Sequence, residues 1–103
     1  MKSVKVEVTR RAEKSLAKVP RLIAVNFFTW KREVEEHGLE EIRKILGYHD
    51  EPLEGKLKGK VRSIRLGRGY RAFYHVTGTT IKCIVVEEVN KHDYKAIERL
   101  FGI

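Results

Sequence analysis

The chain has 103 residues, and its apolar 42% is spread along the whole length, which fits one domain over 1–103 with a modest core and excludes a disordered segment. Its 22 lysines and arginines against 14 acidic residues leave a net charge of +8, a surplus that favours a polyanionic partner such as nucleic acid. The single cysteine, Cys83, excludes an intramolecular disulfide and a multi-cysteine zinc site. With no membrane-length apolar run and no secretion-signal core, the expected compartment is the cytoplasm.

In chain order, VKVEV alternates Val4, Val6 and Val8 with Lys5 and Glu7, which predicts a strand with one wet face. Thr9 is placed to cap a short helix over RRAEKSLAKV, with Ala12, Leu16 and Val19 on one side. Pro20 fits the first turn of a second helix that carries Leu22, Ile23, Phe27, Trp30 and Val34 to about Gly38, and core packing is expected for the aromatic run of Phe27, Phe28 and Trp30. One or two helical turns through Leu39, Ile42 and Leu46 follow, then a loop.

Three strand signals come next. VRSIRL sets Ile64 and Leu66 against Ser63 and Arg65, and YRAFYHV sets Tyr70, Ala72, Tyr74 and Val76 against Arg71, Phe73 and His75. Between them GRG signals a turn, and after TGTT the run IKCIVVEEV is apolar on both faces, as suits a central strand that buries Cys83. A closing amphipathic helix is expected through Tyr94, Ile97 and Leu100. The order predicts an α+β domain: an N-terminal strand, a helical hairpin, a three-strand antiparallel meander and a short C-terminal helix, with the helices on one sheet face.

The opposite face is then left to the basic segment. From Lys56 to Arg71 there are seven cations and no acid: Lys56, Lys58, Lys60, Arg62, Arg65, Arg68 and Arg71. Such a row suits phosphate contacts, or catalysis on a phosphodiester in which fixed cations neutralise developing charge; the plain alternative is a solvated basic sheet face. Two-metal chemistry needs several carboxylates together, which this segment lacks, so no metal or other cofactor is expected. RNA supplies its own nucleophile in the 2′-hydroxyl, and a histidine then suits proton transfer. Of the four, His92 sits where the last strand ends beside the basic face and ranks first. His37 lies at a helix C-terminus, His49 in a loop beside Asp50, and His75 at the end of a strand.

LEGKLKG, SIRLGRGYRAFYHV and EVNKHDY together resemble the toxins of the RelE/ParE superfamily, from type II toxin–antitoxin modules, over nearly the whole chain. The first is similar to the family's Leu-Lys/Arg-Gly loop, the second to its pair of basic strands, and the third to its charged exit from the last strand. The resemblance implies a ribosome-dependent, metal-independent endoribonuclease that cuts mRNA and inhibits translation, with an antitoxin encoded nearby, and mRNA and ribosomal RNA as partners. Arg71 in GYR then matches the arginine at the scissile phosphate, and Arg65 a basic position beside it. His92 falls where HigB- and YoeB-like relatives place a histidine, and Tyr94 lies near a tyrosine that several relatives use. Lys56, Lys58, Lys60, Arg62, Arg68 and Lys91 would hold RNA or the ribosome. The alternatives are a ParE-like inhibitor of DNA gyrase without nuclease activity and a non-catalytic nucleic-acid-binding module; the joint presence of Arg65, Arg71 and His92 favours the ribonuclease.

Overall fold

The computed structural model describes residues 4–53 and 61–88. Strand β1 (Lys5–Val8) leads into helix α1 (Arg10–Leu16), the long helix α2 (Arg21–His37), the short α3 (Leu39–Arg43) and a 3-10 turn over Leu46–Tyr48. Strands β2 (Glu51–Pro52), β3 (Arg62–Gly67), β4 (Tyr70–Thr77) and β5 (Thr80–Glu88) follow. The domain is α+β, as its sequence predicts.

Among the described residues the sheet has five strands in the order β1-β5-β4-β3-β2. The expected meander is present, β3 to β4 and β4 to β5 both antiparallel, and two further pairings extend it. β1 joins the far edge of β5 in parallel, Val6 opposite Ile81, and the two-residue β2 pairs antiparallel with β3 inside the segment expected to be a loop. Pro52 is tolerated there because an edge strand has no outer ladder to complete.

Helix α1 begins as its sequence indicates, with the Ala12 N–H donating to Thr9 Oγ1 at 3.1 Å. It stops at Leu16, short of the expected span, and Ser15 ties it to the sheet: its hydroxyl donates to the Ala12 carbonyl and accepts from the Val86 N–H at 3.0 Å. Pro20 serves as the residue before α2 rather than inside its first turn. On α2, Ile23, Phe27, Trp30 and Val34 recur at spacings of four, three and four, and all are buried against Ile64, Leu66, Ala72 and Tyr74 of the sheet. Leu22 lies off that arc and is 58% exposed, and Phe28 also faces out, so neither joins the core assigned to it. Leu46 and Val76 are likewise exposed, the first on the 3-10 turn and the second near the end of β4 that leads into the β4–β5 turn.

The α2–β1 contact has its own polar tie. Glu35 Oε2 accepts from the Val6 N–H at 3.0 Å, while Oε1 lies 3.0 Å from Lys31 Nζ. Burial alone would raise this carboxyl's pKa, but the Val6 N–H and Lys31 outweigh it and hold the pKa below its ordinary value. A depressed folded-state pKa contributes stability at pH above the unfolded value that is lost as pH falls through the folded one. Glu35→Ala is therefore expected to destabilise by about 1–3 kcal/mol at neutral pH, leaving the Val6 N–H without its acceptor, and by less in acid. Urea unfolding at neutral and acid pH measures both; an equal loss at the two would contradict the ionised tie.

The closing helix expected through Tyr94, and with it Lys56, Lys58, Lys60, Lys91, His92 and Tyr94, falls outside the described residues. Among the described residues no helix is long and apolar enough to cross a membrane.

Candidate nucleic-acid interface and active site

β3 and β4 meet in a tight turn whose Arg68 (φ 48°) and Gly69 (φ 82°) both take positive φ, the geometry that two-residue hairpins favour and glycine supplies cheaply. The register sets Arg65 directly opposite Arg71. Side chains alternate along both strands, so these two arginines share the face turned away from the helices, with Ser63 and Phe73. Like charges directly opposite one another destabilise a sheet, so the pair is a cost that an anion relieves.

That face is not left bare, as the sequence suggested. Ser63 and Phe73 on it are fully buried, and so are Val61 and Leu53, outside the cluster that the helices form with the sheet. The exposed cations cluster at the hairpin end, Arg65 on β3 and Arg68 at the tip. Arg71 is held differently. Its Nε donates to Ser63 Oγ at 2.9 Å and its Nη2 to the His49 carbonyl at 3.1 Å, and the side chain is only 14% exposed. A guanidinium fixed in this way is pre-oriented and always charged.

Arg62 has another role from the one expected of it. It alternates to the opposite face from Arg65 and Arg71, where its Nε donates to Asp50 Oδ1 at 2.6 Å and its Nη2 to the Asp50 carbonyl at 3.4 Å. The Asp50 side chain is 1% exposed and also accepts from the Tyr74 hydroxyl. Burial first, then Asp50, pushes the Tyr74 phenol far above its ordinary pKa, so it stays protonated as a structural donor. This Arg62–Asp50–Tyr74 cluster pins the turn that precedes β2.

On that turn stand two groups that the sequence reading ranked low or passed over. His49 occupies the left-handed region (φ 47°, ψ 49°), and its Nε2 lies 3.4 Å from Glu51 Oε2. The other oxygen of Glu51 lies 3.4 Å from Arg71 Nη2, so one carboxylate spans the histidine and the arginine. The signal was available as HDE a few residues before the basic segment, but its meaning depends on Arg71, which arrives 22 residues after His49 in the chain. His75, by contrast, pairs in register with Lys82; burial and that lysine lower its pKa.

Beside Arg65 a cleft of about 340 Å³ opens between α2 and β3, lined by Asn26, Thr29, Glu33, Tyr48 and Leu66 among others. Asn26 Nδ2 donates to the Leu66 carbonyl at 2.8 Å, and Tyr48 donates to Glu33 at 2.9 Å. Burial, and then Glu33, pushes the Tyr48 phenol up to about 12. Among the described residues no group of three His, Cys, Asp or Glu side chains is arranged to hold a metal ion.

No family model matches the sequence, and no curated protein matches it. Solved structures do. The RelBE2 toxin–antitoxin complex of Mycobacterium tuberculosis aligns at a TM-score of 0.63 and 23% identity, covering 85% of this chain and 100% of that one. The archaeal RelE–RelB complex of Pyrococcus horikoshii aligns at 0.65 and 21%, covering 87% and 99%. The DinJ–YafQ toxin–antitoxin complex of E. coli gives 0.68 at 14% identity, covering 93% and 98%. The chain has the fold of the RelE-like toxins. Within this RelE-like fold, Arg71 meets His49 and Glu51 and has Arg65 opposite it in register, while Arg62 is drawn into the Asp50 cluster.

Proposed function

We propose that this chain is the toxin of a type II toxin–antitoxin module and acts as a metal-independent endoribonuclease on mRNA at the ribosome. The observation that carries the reading is the Arg65–Arg71 pair, two like charges set opposite each other on rigid strands of a RelE-like fold. Rigid cations at the scissile phosphate stabilise charge that grows as the 2′-hydroxyl attacks, and they need no reorganisation to do so. Arg71 is the inner, fixed member and Arg65 the exposed one that meets the incoming phosphate. His92 is assigned to proton transfer, with Tyr94 supporting it. Lys56, Lys58, Lys60, Arg68 and Lys91 supply the remaining contacts to RNA and ribosome.

The solved neighbours include complexes with antitoxins, which supports an antitoxin as the partner of this chain, with an acidic segment to meet the +8 charge. The same setting supports a cytoplasmic site of action. A small reading frame adjoining the gene is expected, and its product should restore growth when co-expressed.

Brief induction followed by mapping of mRNA 5′ ends tests the activity. New 5′ ends within translated frames, carrying 5′-hydroxyls opposite cyclic phosphates, are the expected result. Intact transcripts with an induced DNA-damage response would instead support a gyrase inhibitor, and intact transcripts without one a binding module lacking chemistry. His92→Ala should reduce cleavage by about 10²- to 10⁴-fold, the usual span for loss of a proton-transfer group.

A further inference from the structure

We propose that His49 is a catalytic residue for RNA cleavage, removing the 2′-hydroxyl proton, and that Glu51 positions its imidazole. The assignment rests on the ribonuclease reading above and concerns the same face. Three observations support it. His49 and Arg71 flank one carboxylate, with Nε2 and Nη2 each 3.4 Å from an oxygen of Glu51. The turn is anchored from below, because the neighbouring Asp50 is buried and bonded to Arg62 and Tyr74. It is anchored from the side as well, by the Arg71 donation to the His49 carbonyl. The imidazole itself remains 61% exposed and open to a substrate lying along Arg65 and Arg71.

The chemistry follows from that placement. A proton on Nε2, the nitrogen near the Glu51 carboxylate, leaves the lone pair on Nδ1, which is the arrangement a base with an orienting carboxylate requires. Nδ1 takes the proton of the 2′-hydroxyl as its oxygen bonds to phosphorus. The bond from phosphorus to the 5′-oxygen breaks, and that oxygen takes a proton from the general acid, the part left to the proton-transfer group proposed above, giving a 2′,3′-cyclic phosphate and a 5′-hydroxyl. The imidazolium formed lies against Glu51, whose other oxygen lies beside Arg71. Of the charged groups that meet this turn, Glu51 and Arg71 contact His49, and Asp50 and Arg62 are committed to each other.

Single-turnover cleavage of mRNA on programmed ribosomes, followed from about pH 5.5 to 8.5 to bracket an imidazole, tests the assignment. The variants are His49→Asn and Glu51→Gln. Asparagine tolerates the left-handed backbone of position 49, so the turn is retained; matched circular dichroism and melting confirm it. His49→Asn should lose about 10²- to 10⁴-fold in rate together with the acid limb of the pH profile. Glu51→Gln should keep the limb and lower the rate by less than His49→Asn does, because the imidazole loses its orienting neighbour but stays the base. Should His49→Asn not fold, the Glu51→Gln rate decides alone. An acid limb that persists in His49→Asn, or a Glu51→Gln that keeps the wild-type rate, overturns the assignment. Wild-type protein that leaves ribosome-bound mRNA intact sinks the ribonuclease reading and this assignment with it. Active wild type with an equally active His49→Asn removes His49 alone.

Discussion

Arg71→Ala is expected to lower single-turnover cleavage of mRNA on ribosomes by about 10²- to 10³-fold, the usual cost of removing one fixed donor from a site of developing charge. Two losses combine in it. The phosphate loses the inner guanidinium, and the turn bearing His49 and Glu51 loses the donor that bonds the His49 carbonyl and the cation beside Glu51. Arg71→Lys restores a charge but not the fork that reaches Ser63 and His49 together, so it should recover only part of the rate. Ribosome binding should change little in either variant, since encounter depends on the summed charge, of which one residue is a small share. Cleavage and ribosome binding that fall in parallel would make Arg71 a docking residue.

Asp50→Ala should be among the most destabilising single changes in the chain, at about 3 kcal/mol, the low end for breaking a buried ion pair because Arg62 keeps some access to water. The Asp50 carboxylate is buried while serving Arg62 and the fully buried Tyr74, so its removal strands a guanidinium and a phenol at once. For a domain of this size the loss corresponds to a fall in melting temperature of about 12 °C or more. Asp50→Asn keeps acceptor atoms without the charge and should fall between the two. Chemical unfolding at neutral pH measures all three; a loss under about 1 kcal/mol for Asp50→Ala would show that the cluster is not what holds the turn.

Much of the fold was legible from local pattern alone. Alternation over Arg62–Gly67 and Tyr70–Thr77, and a run over Thr80–Glu88 apolar on both faces in its middle, announced the antiparallel meander, because a period of two can bury one face only if the strand is extended. The spacing of Ile23, Phe27, Trp30 and Val34 announced α2 for the corresponding helical reason. Leu22 and Val76 show where pattern stops. Both are apolar residues of regular elements, yet Leu22 sits off the buried arc of α2, and Val76 lies exposed toward the β4–β5 turn after a register shift at Phe73–Tyr74. β2 was also beyond reach, since two residues carry no period and become a strand only because β3 offers an edge.

For the candidate site, the sequence by itself determined the chemistry available: a run of cations without acids from Lys56 to Arg71, and histidines to move protons. Strand alternation further set Arg65 and Arg71 apart from the apolar residues beside them. Only the tertiary structure decided which of these groups meet. Register put Arg65 opposite Arg71, and a buried Asp50 bound Arg62, already on the other face by alternation, away from the role its charge suggested. The same aspartate fixed the turn that carries His49 and Glu51 up to Arg71. The contacts of Asp50 with Tyr74 and of Arg71 with the His49 turn cross more than 20 residues of chain, set by which strand edges pair and which charges can be satisfied out of water, and no local pattern encodes either.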